Sequence, residues 1–462
     1  MKLPYYPKEY PALLRLGIPI TIAQIGFTLQ GLADTLMVGQ HSARELAAAG
    51  FVNSIYTMTI LMMIGYSMSA VSRIGALYSQ GRKREIITVF KSSLVTNLLQ
   101  GLLITGVLTC IYYYLPQMGQ SEELLPLMQS YFLILLPSMP LMALYNAFKP
   151  FLDSINDTKT SMWIMLAGNV WNIFFNWVLI YGRLGFPEMG IEGAAWATAS
   201  SRLFILVLFA IVVFFTPRYK EYLQYWKETK ISAKDMRILN HLGWPIGIQM
   251  TMEIAAFAGA ALFLGWGGKN WDGVTALAAH QVMIVLSNLI YMFFIGIGSA
   301  IAIRVSNYHG LEDMIGIKHA AHAGYQMILL VSIIVSTTVF AFRFSITSLF
   351  ISADDPLMLA KVTEVVAATC LPLILYQFGD GMQTAYANAL RGYGDVKVLM
   401  GYSFLAYIVI SIPLSFIFCI LLDGGCFGLW MGFPFGLTTA AILYRRRFSK
   451  TISKRIPKEH TS

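Results

Sequence analysis

Three carboxylic acids lie inside long apolar stretches. Asp34 stands in GLADTLMVGQ (31–40), Glu253 in IGIQMTMEIAAF (246–257) and Asp380 in LYQFGDGMQTAY (375–386). The run that holds Asp34 begins near Leu13 and carries only Gln24 and Gln30 as bulky polar residues. A carboxylate at the centre of a membrane helix costs at least about 2.5–3.5 kcal/mol on insertion scales, so a working role is its default reading. The alternative is a fixed ion pair. Arg202, Arg73 and Arg304 are the arginines near enough to span ends to serve, and three midspan acids are not easily all neutralised by them. A mobile cation, a proton or a cationic substrate is the more natural partner.

Polar residues recur one helical turn from these acids or on other spans. Gln30, Gly31 and Asp34 fall on one helical face, as do Asn172 and Asn176 in GNVWNIFFNW, Gln249 and Glu253, and Tyr376 and Asp380. Thr198 lies in AWATAS, and Gly379 and Gly381 flank Asp380, which lets a neighbouring helix approach closely. For each Asn, Gln or Thr taken alone, interhelical hydrogen bonding worth about 0.6–2 kcal/mol is the ordinary reading.

The elements that carry these residues are long and apolar. Of 462 residues, 56% are hydrophobic and 12% charged, against about 25% charged in soluble domains. Segments long enough to cross a bilayer recur throughout, and their continuous rather than alternating polarity predicts helices, not barrel strands. Twelve spans are expected: 11–39, 46–72, 86–114, 123–148, 160–181 and 191–215, then 241–267, 274–303, 318–342, 357–389, 397–421 and 426–444. The fold class is thus an all-α polytopic membrane protein. Pro19, Pro245 and Pro372 are expected to kink helices one, seven and ten.

The halves match each other. GIPI (17–20) pairs with GWPI (243–246), LAAAGFV (46–52) with LAAHQV (277–282), LDSINDTK (152–159) with LRGYGDVK (390–397), and IEGAAW (191–196) loosely with CFGLW (426–430). Four matches in the same order, roughly 230 residues apart, imply two six-helix lobes. Because six is even, both lobes start on the same side, related by a pseudo-two-fold axis along the membrane normal. The expected organisation is an N-terminal lobe (1–216), a cytoplasmic linker (217–240), a C-terminal lobe (241–447) and a basic cytoplasmic tail (448–462).

The formal charge of +9 does not indicate nucleic-acid binding. Lysine and arginine concentrate in RKRE (82–85), the linker, GYGDVK (392–397) and the tail YRRRFSKTISKRIPKEH, leaving Arg44, Arg183, Lys269, Arg343 and Lys361 for the opposite side. That bias places both termini in the cytoplasm. The N-terminal apolar segment reads as a retained helix rather than a cleaved signal, being too long and lacking a small-residue cleavage site. Cys110, Cys370, Cys419 and Cys426 show no metal-ligand spacing.

At this point the chain resembles the multidrug and toxic compound extrusion (MATE) family, closest to its NorM-type branch. The resemblance covers essentially the whole chain. It rests on the repeat, ADTLMVGQ (33–40), NIFFNWVLIYG and MGIEGAAWATA across helices five and six, Met252-Glu253, and YQFGDGMQTAYANALRGYGD (376–395). It implies export of cationic amphiphiles in exchange for inward Na⁺ or H⁺, with no cofactor, from a monomer in a bacterial inner membrane. It also implies an N-lobe cation site of Asp34, Asn172, Asn176 and Thr198, and a C-lobe site of Glu253, Asp380 and Tyr376. Asp34, Gln30, Glu253, Gln249 and Asp380 are the expected contacts of the cationic substrate. The chemistry agrees with this assignment. A carboxylate, two amide carbonyls and a hydroxyl form an oxygen set suited to a hard cation such as Na⁺. Two neighbouring carboxyls beside a tyrosine can hold one proton between them.

Three other readings compete. A lipid-linked oligosaccharide flippase of the same superfamily calls for a basic cavity, whereas the deep charges here are acidic. An intramembrane enzyme, such as a prenyl transferase using Mg²⁺, calls for paired acids. The adjacent pairs Glu122-Glu123 and Asp354-Asp355 lie in loops without D-x-x-x-D spacing. A channel calls for continuous polar stripes, which are absent.

Overall fold

The computed structural model describes residues 5–349 and 356–455, and all regular structure among them is helical. Among the described residues, eleven helices are long and apolar enough to cross a membrane: α1 (Glu9–His41), α2 (Ala43–Ser79), α3 (Lys83–Gln117), α5 (Thr158–Ile180), α6 (Gly190–Phe215), α7 (Ala233–Gly265), α8 (Gly273–Gly310), α9 (Met314–Phe342), α10 (Pro356–Tyr393), α11 (Lys397–Leu421) and α12 (Gly425–Ser453). A bent pair, α4, Leu125–Leu135 and Ser138–Ser154, meets at 42° and makes a twelfth crossing when taken as one span. Sequence predicts a single run over 123–148. Pro137 sits at the break, where it supplies no N–H to continue the helical hydrogen bonding.

Several helices outrun their expected spans. α7 begins at Ala233 rather than 241, and α12 continues to Ser453 rather than 444. Hydropathy reports where a helix crosses hydrocarbon. Backbone hydrogen bonding carries the same helix onward into polar sequence. Pro19, Pro245 and Pro372 each lie inside a continuous helix. α11 is also unusual, holding two π-helical stretches, Phe404–Ser411 and Ile417–Leu421.

Polar residues set the helix starts. Asp157, Asp272 and Asp313 cap α5, α8 and α9, accepting from the backbone N–H groups of Thr160 (3.4 Å), Thr275 (2.9 Å) and Gly316 (2.8 Å). The Thr275 N–H holds the exposed Asp272 carboxyl below the usual carboxylate range.

The chain divides into two compact units, residues 22–247 and residues 1–21 with 248–462. Both boundaries fall within helices, just past Pro19 in α1 and Pro245 in α7. Each unit has its own apolar core. The repeat is visible in matching clamps. In the first unit, Asp157 of LDSINDTK bonds Arg218 (2.9 Å) and the Tyr219 hydroxyl (2.6 Å), just past α6. In the second, Asp395 of LRGYGDVK bonds Arg447 through Nε (2.7 Å) and Nη2 (3.2 Å), near the end of α12.

Candidate functional site

In the 22–247 unit, α1, α5 and α6 bring Asp34, Asn172, Asn176 and Thr198 together. The Asn176 amide donates to Asp34 Oδ1 and to Asn172 Oδ1 (3.1 Å), and the Asn172 amide donates to Thr198 Oγ1 (3.3 Å). Asn172 and Asn176 are 0% exposed. Asn176 Oδ1 is buried with no hydrogen-bond partner. A buried carbonyl oxygen left unmatched costs about 1–3 kcal/mol, and here it lies on the residue that touches the carboxylate. One carboxylate, amide oxygens and a hydroxyl suit a hard monovalent cation. The C-terminal end of α1 is pinned by His41, whose Nδ1 lies 2.8 Å from Glu45 and Nε2 2.9 Å from Glu188.

Sequence reasoning passed over Asn169. It lies one turn before Asn172 on α5, is 5% exposed, and neither amide atom has a partner. The i, i+3, i+7 spacing of Asn169, Asn172 and Asn176 carried that signal. Gln30 lies on the same helix as Asp34 and is half-buried.

The second unit gathers a larger polar centre. Asp380 is 0% exposed, neither carboxylate oxygen meets hydrogen-bond geometry with a described residue, and the Thr384 side chain, one turn on in α10, lies within its influence. Glu253 of α7 acts on it electrostatically, and Tyr291 of α8, Tyr376 of α10 and Tyr407 of α11 lie in the field of both acids. The Tyr407 hydroxyl lies beside Glu253 and accepts from the Gln383 amide (2.5 Å). Tyr376 packs edge-on to Phe257 (5.8 Å) and Trp430 (5.7 Å), which builds an aromatic wall beside the acids. A Cβ at Gly381 would stand 2.7 Å from Ile328 of α9, and one at Gly379 3.1 Å from Thr438 of α12. Both glycines thus permit the close approach expected from their positions.

Three participants here were not anticipated. Tyr291 and Tyr407 sit in otherwise apolar runs. Arg391 sits in LRGYGD, a segment that reads as a helix end. Its guanidinium is buried and donates to Gln249 Oε1 (3.0 Å) and Asn388 Oδ1 (3.4 Å), while Nε has no partner. Gln249 therefore presents its carbonyl to Arg391.

Arg202 donates to Ser138 Oγ (2.6 Å) and Met139 Sδ (3.4 Å), Arg73 pairs with Asp235 (3.4 Å) and Arg304 with Glu9 (3.0 Å). Among the described residues, no ion pair within 4.0 Å contains Asp34, Glu253 or Asp380. No three His, Cys, Asp or Glu residues converge as metal ligands among the described residues. Of the loop acids that a Mg²⁺ enzyme would use, Glu123 lies 3.7 Å from Arg44. Asp354 and Asp355 lie outside the described residues.

Comparison with known proteins gives a consistent outcome. The MatE family model matches residues 19–178 and 245–417. A multidrug resistance protein NorM from Vibrio cholerae is 30% identical over 451 residues, covering 96% of this chain and 95% of the relative. Its counterpart from Aliivibrio fischeri is 29% identical over 442 residues, covering 95% and 94%. In fold, a MOP superfamily transporter from Pyrococcus furiosus superposes with a TM-score of 0.86 at 20% identity, covering 97% of this chain and 96% of that one. A eukaryotic MATE transporter superposes with a TM-score of 0.84 at 17% identity, covering 97% and 98%.

Proposed function

We propose a transport cycle from one premise: this chain belongs to the MatE family. It is a multidrug efflux transporter, akin to the NorM multidrug resistance proteins over nearly its whole length. Its substrates are cationic amphiphiles, and the coupling ion is Na⁺ or H⁺. The NorM-type relatives support a bacterial inner membrane, the Lys and Arg bias supports cytoplasmic termini, and the protein acts as a monomer. The lobes run 1–216 and 241–447, joined by a cytoplasmic linker, 217–240, and followed by the basic tail, 448–462.

The cycle is exchange by competition for carboxylates. A cationic drug reaches cation-free Asp34, Glu253 and Asp380 from the cytoplasmic side. Access then changes to the outside. An external Na⁺ or H⁺ takes the carboxylates and releases the drug. Each positive charge moving inward is favoured by about 2.3 kcal/mol per 100 mV of membrane potential. Asp34 with the oxygens of Asn172, Asn176 and Thr198 suits a metal cation. Glu253 and Asp380, with Tyr376 beside them, suit either a proton or Na⁺. Gln30 and Gln249 add polar contacts to the bound drug.

The observation that carries this reading is Asp380, fully buried with no cationic side chain paired to it among the described residues. A buried charge persists only when something pairs with it, and the described residues supply no fixed ion-pair partner. The test is efflux of a fluorescent cationic dye from cells expressing Asp380→Asn. Loss of efflux supports the assignment, and wild-type efflux at equal expression contradicts it.

A further inference from the structure

A second polar recess lies away from the deep acids, between the C-terminal parts of α10 and α12. It encloses about 360 Å³ and is lined by Met382, Ile442, Arg445, Arg446 and Ser449. The lining is graded. Met382 and Ile442 supply an apolar wall, one to two turns farther into the spans than the guanidinium pair and the serine hydroxyl.

Among the described residues, no carboxylate neutralises Arg445 or Arg446. The next residue, Arg447, is paired with Asp395, but no ion pair within 4.0 Å among the described residues contains Arg445 or Arg446. An independent observation points the same way. Tyr386, one turn beyond Met382 on α10, is 1% exposed, and its hydroxyl is buried without a partner. That hydroxyl lies in the field of Arg445. A buried hydroxyl costs about 1–3 kcal/mol when its bond goes unmade, and an acceptor held by Arg445 would relieve that cost.

We propose that this recess binds the phosphate of an anionic phospholipid. Arg445 and Arg446 take the phosphate oxygens, Ser449 and Tyr386 donate to it, and Met382 with Ile442 receives the glycerol and first acyl carbons. Guanidinium groups are suited to phosphate, and basic recesses between membrane helices near the interface hold lipid headgroups. The proposal rests on membrane embedding and not on the exchange cycle, so each can fail without the other.

The test uses the full-length protein in neutral detergent, followed by tryptophan fluorescence during heating. Phosphatidylglycerol is expected to raise the unfolding midpoint by roughly 3 °C, with phosphatidylcholine and inorganic phosphate giving far less. The double variant Arg445→Gln/Arg446→Gln should lose the shift, while Lys227→Gln/Lys230→Gln, exposed residues of the linker, should keep it. Tyr386→Phe, which deletes one hydroxyl, should raise the half-saturating phosphatidylglycerol about threefold without lowering lipid-free stability, and remains informative if the double variant does not fold. An equal phosphatidylglycerol shift in all variants would overturn the site. So would a phosphatidylcholine shift as large as that of phosphatidylglycerol. If inorganic phosphate alone matched the lipid, the occupant would be a free anion and the lipid assignment would be wrong.

Discussion

The Asn176 side chain donates to the Asp34 carboxylate while its own buried carbonyl oxygen accepts nothing. The pair joins α1 to α5 and leaves one acceptor aimed at no protein donor. An amide held this way by its NH₂ group is ready to offer its oxygen to a cation that also meets the carboxylate.

Asn176→Ala is therefore expected to raise the half-saturating concentration of the coupling cation about tenfold, equivalent to ~1.4 kcal/mol. Dye efflux titrated against external Na⁺ at fixed pH, and against pH at fixed Na⁺, measures this. An unchanged midpoint in both titrations would make Asn176 a purely structural bond.

Asn169→Leu should separate stability from function. Neither amide atom of Asn169 is satisfied, so an apolar side chain is expected to stabilise the protein by about 1–2 kcal/mol while reducing ion-dependent efflux. Thermal unfolding and efflux are read on the same variant. A less stable variant with full efflux would mark Asn169 as ordinary packing.

Arg391→Lys keeps the charge but loses the two-pronged contact with Gln249 and Asn388. A loss of about 1.5–3 kcal/mol in stability is expected, read as a lower unfolding midpoint. Arg391→Met should be worse, because it leaves Gln249 Oε1 without its donor. Wild-type midpoints for both variants would show that the guanidinium bonds contribute little.

Gly392→Ala tests the packing of α8 on α10. A Cβ at Gly392 would overlap the carbonyl of Ala302, so the helices must separate. The expected loss is about 1–3 kcal/mol, with reduced yield of folded protein. An unchanged midpoint would mean that the α8–α10 contact yields at little cost.

Much of this was legible in the sequence, and the residues show why. Asp34, Glu253 and Asp380 stand out because a carboxylate in hydrocarbon is rare and costly. Asn172, Asn176 and Tyr376 stand out because they lie one turn from a polar partner. The twelve crossings follow from hydropathy, and the repeat follows from matches such as LDSINDTK with LRGYGDVK, whose aspartates form equivalent clamps. The bend in α4 was missed because an apolar run containing Pro137 reads the same whether straight or broken. Tyr291 and Tyr407 were missed because a tyrosine in an apolar run packs as often as it bonds. Their placement beside the acids depends on how α8 and the π-helical α11 turn, which no local pattern encodes. Arg391 reads in sequence as part of a polar helix end, and only its hydrogen bond to Gln249 of α7 shows it buried.

The most direct test imposes a Na⁺ gradient or a pH gradient across inverted vesicles and follows a fluorescent cationic dye, comparing wild type with Asp380→Asn. The account predicts that at least one gradient drives dye into wild-type vesicles and that Asp380→Asn reduces that flux at least about tenfold, a loss of ~1.4 kcal/mol or more. Dye movement that ignores both gradients, or that survives unchanged in Asp380→Asn, would contradict it.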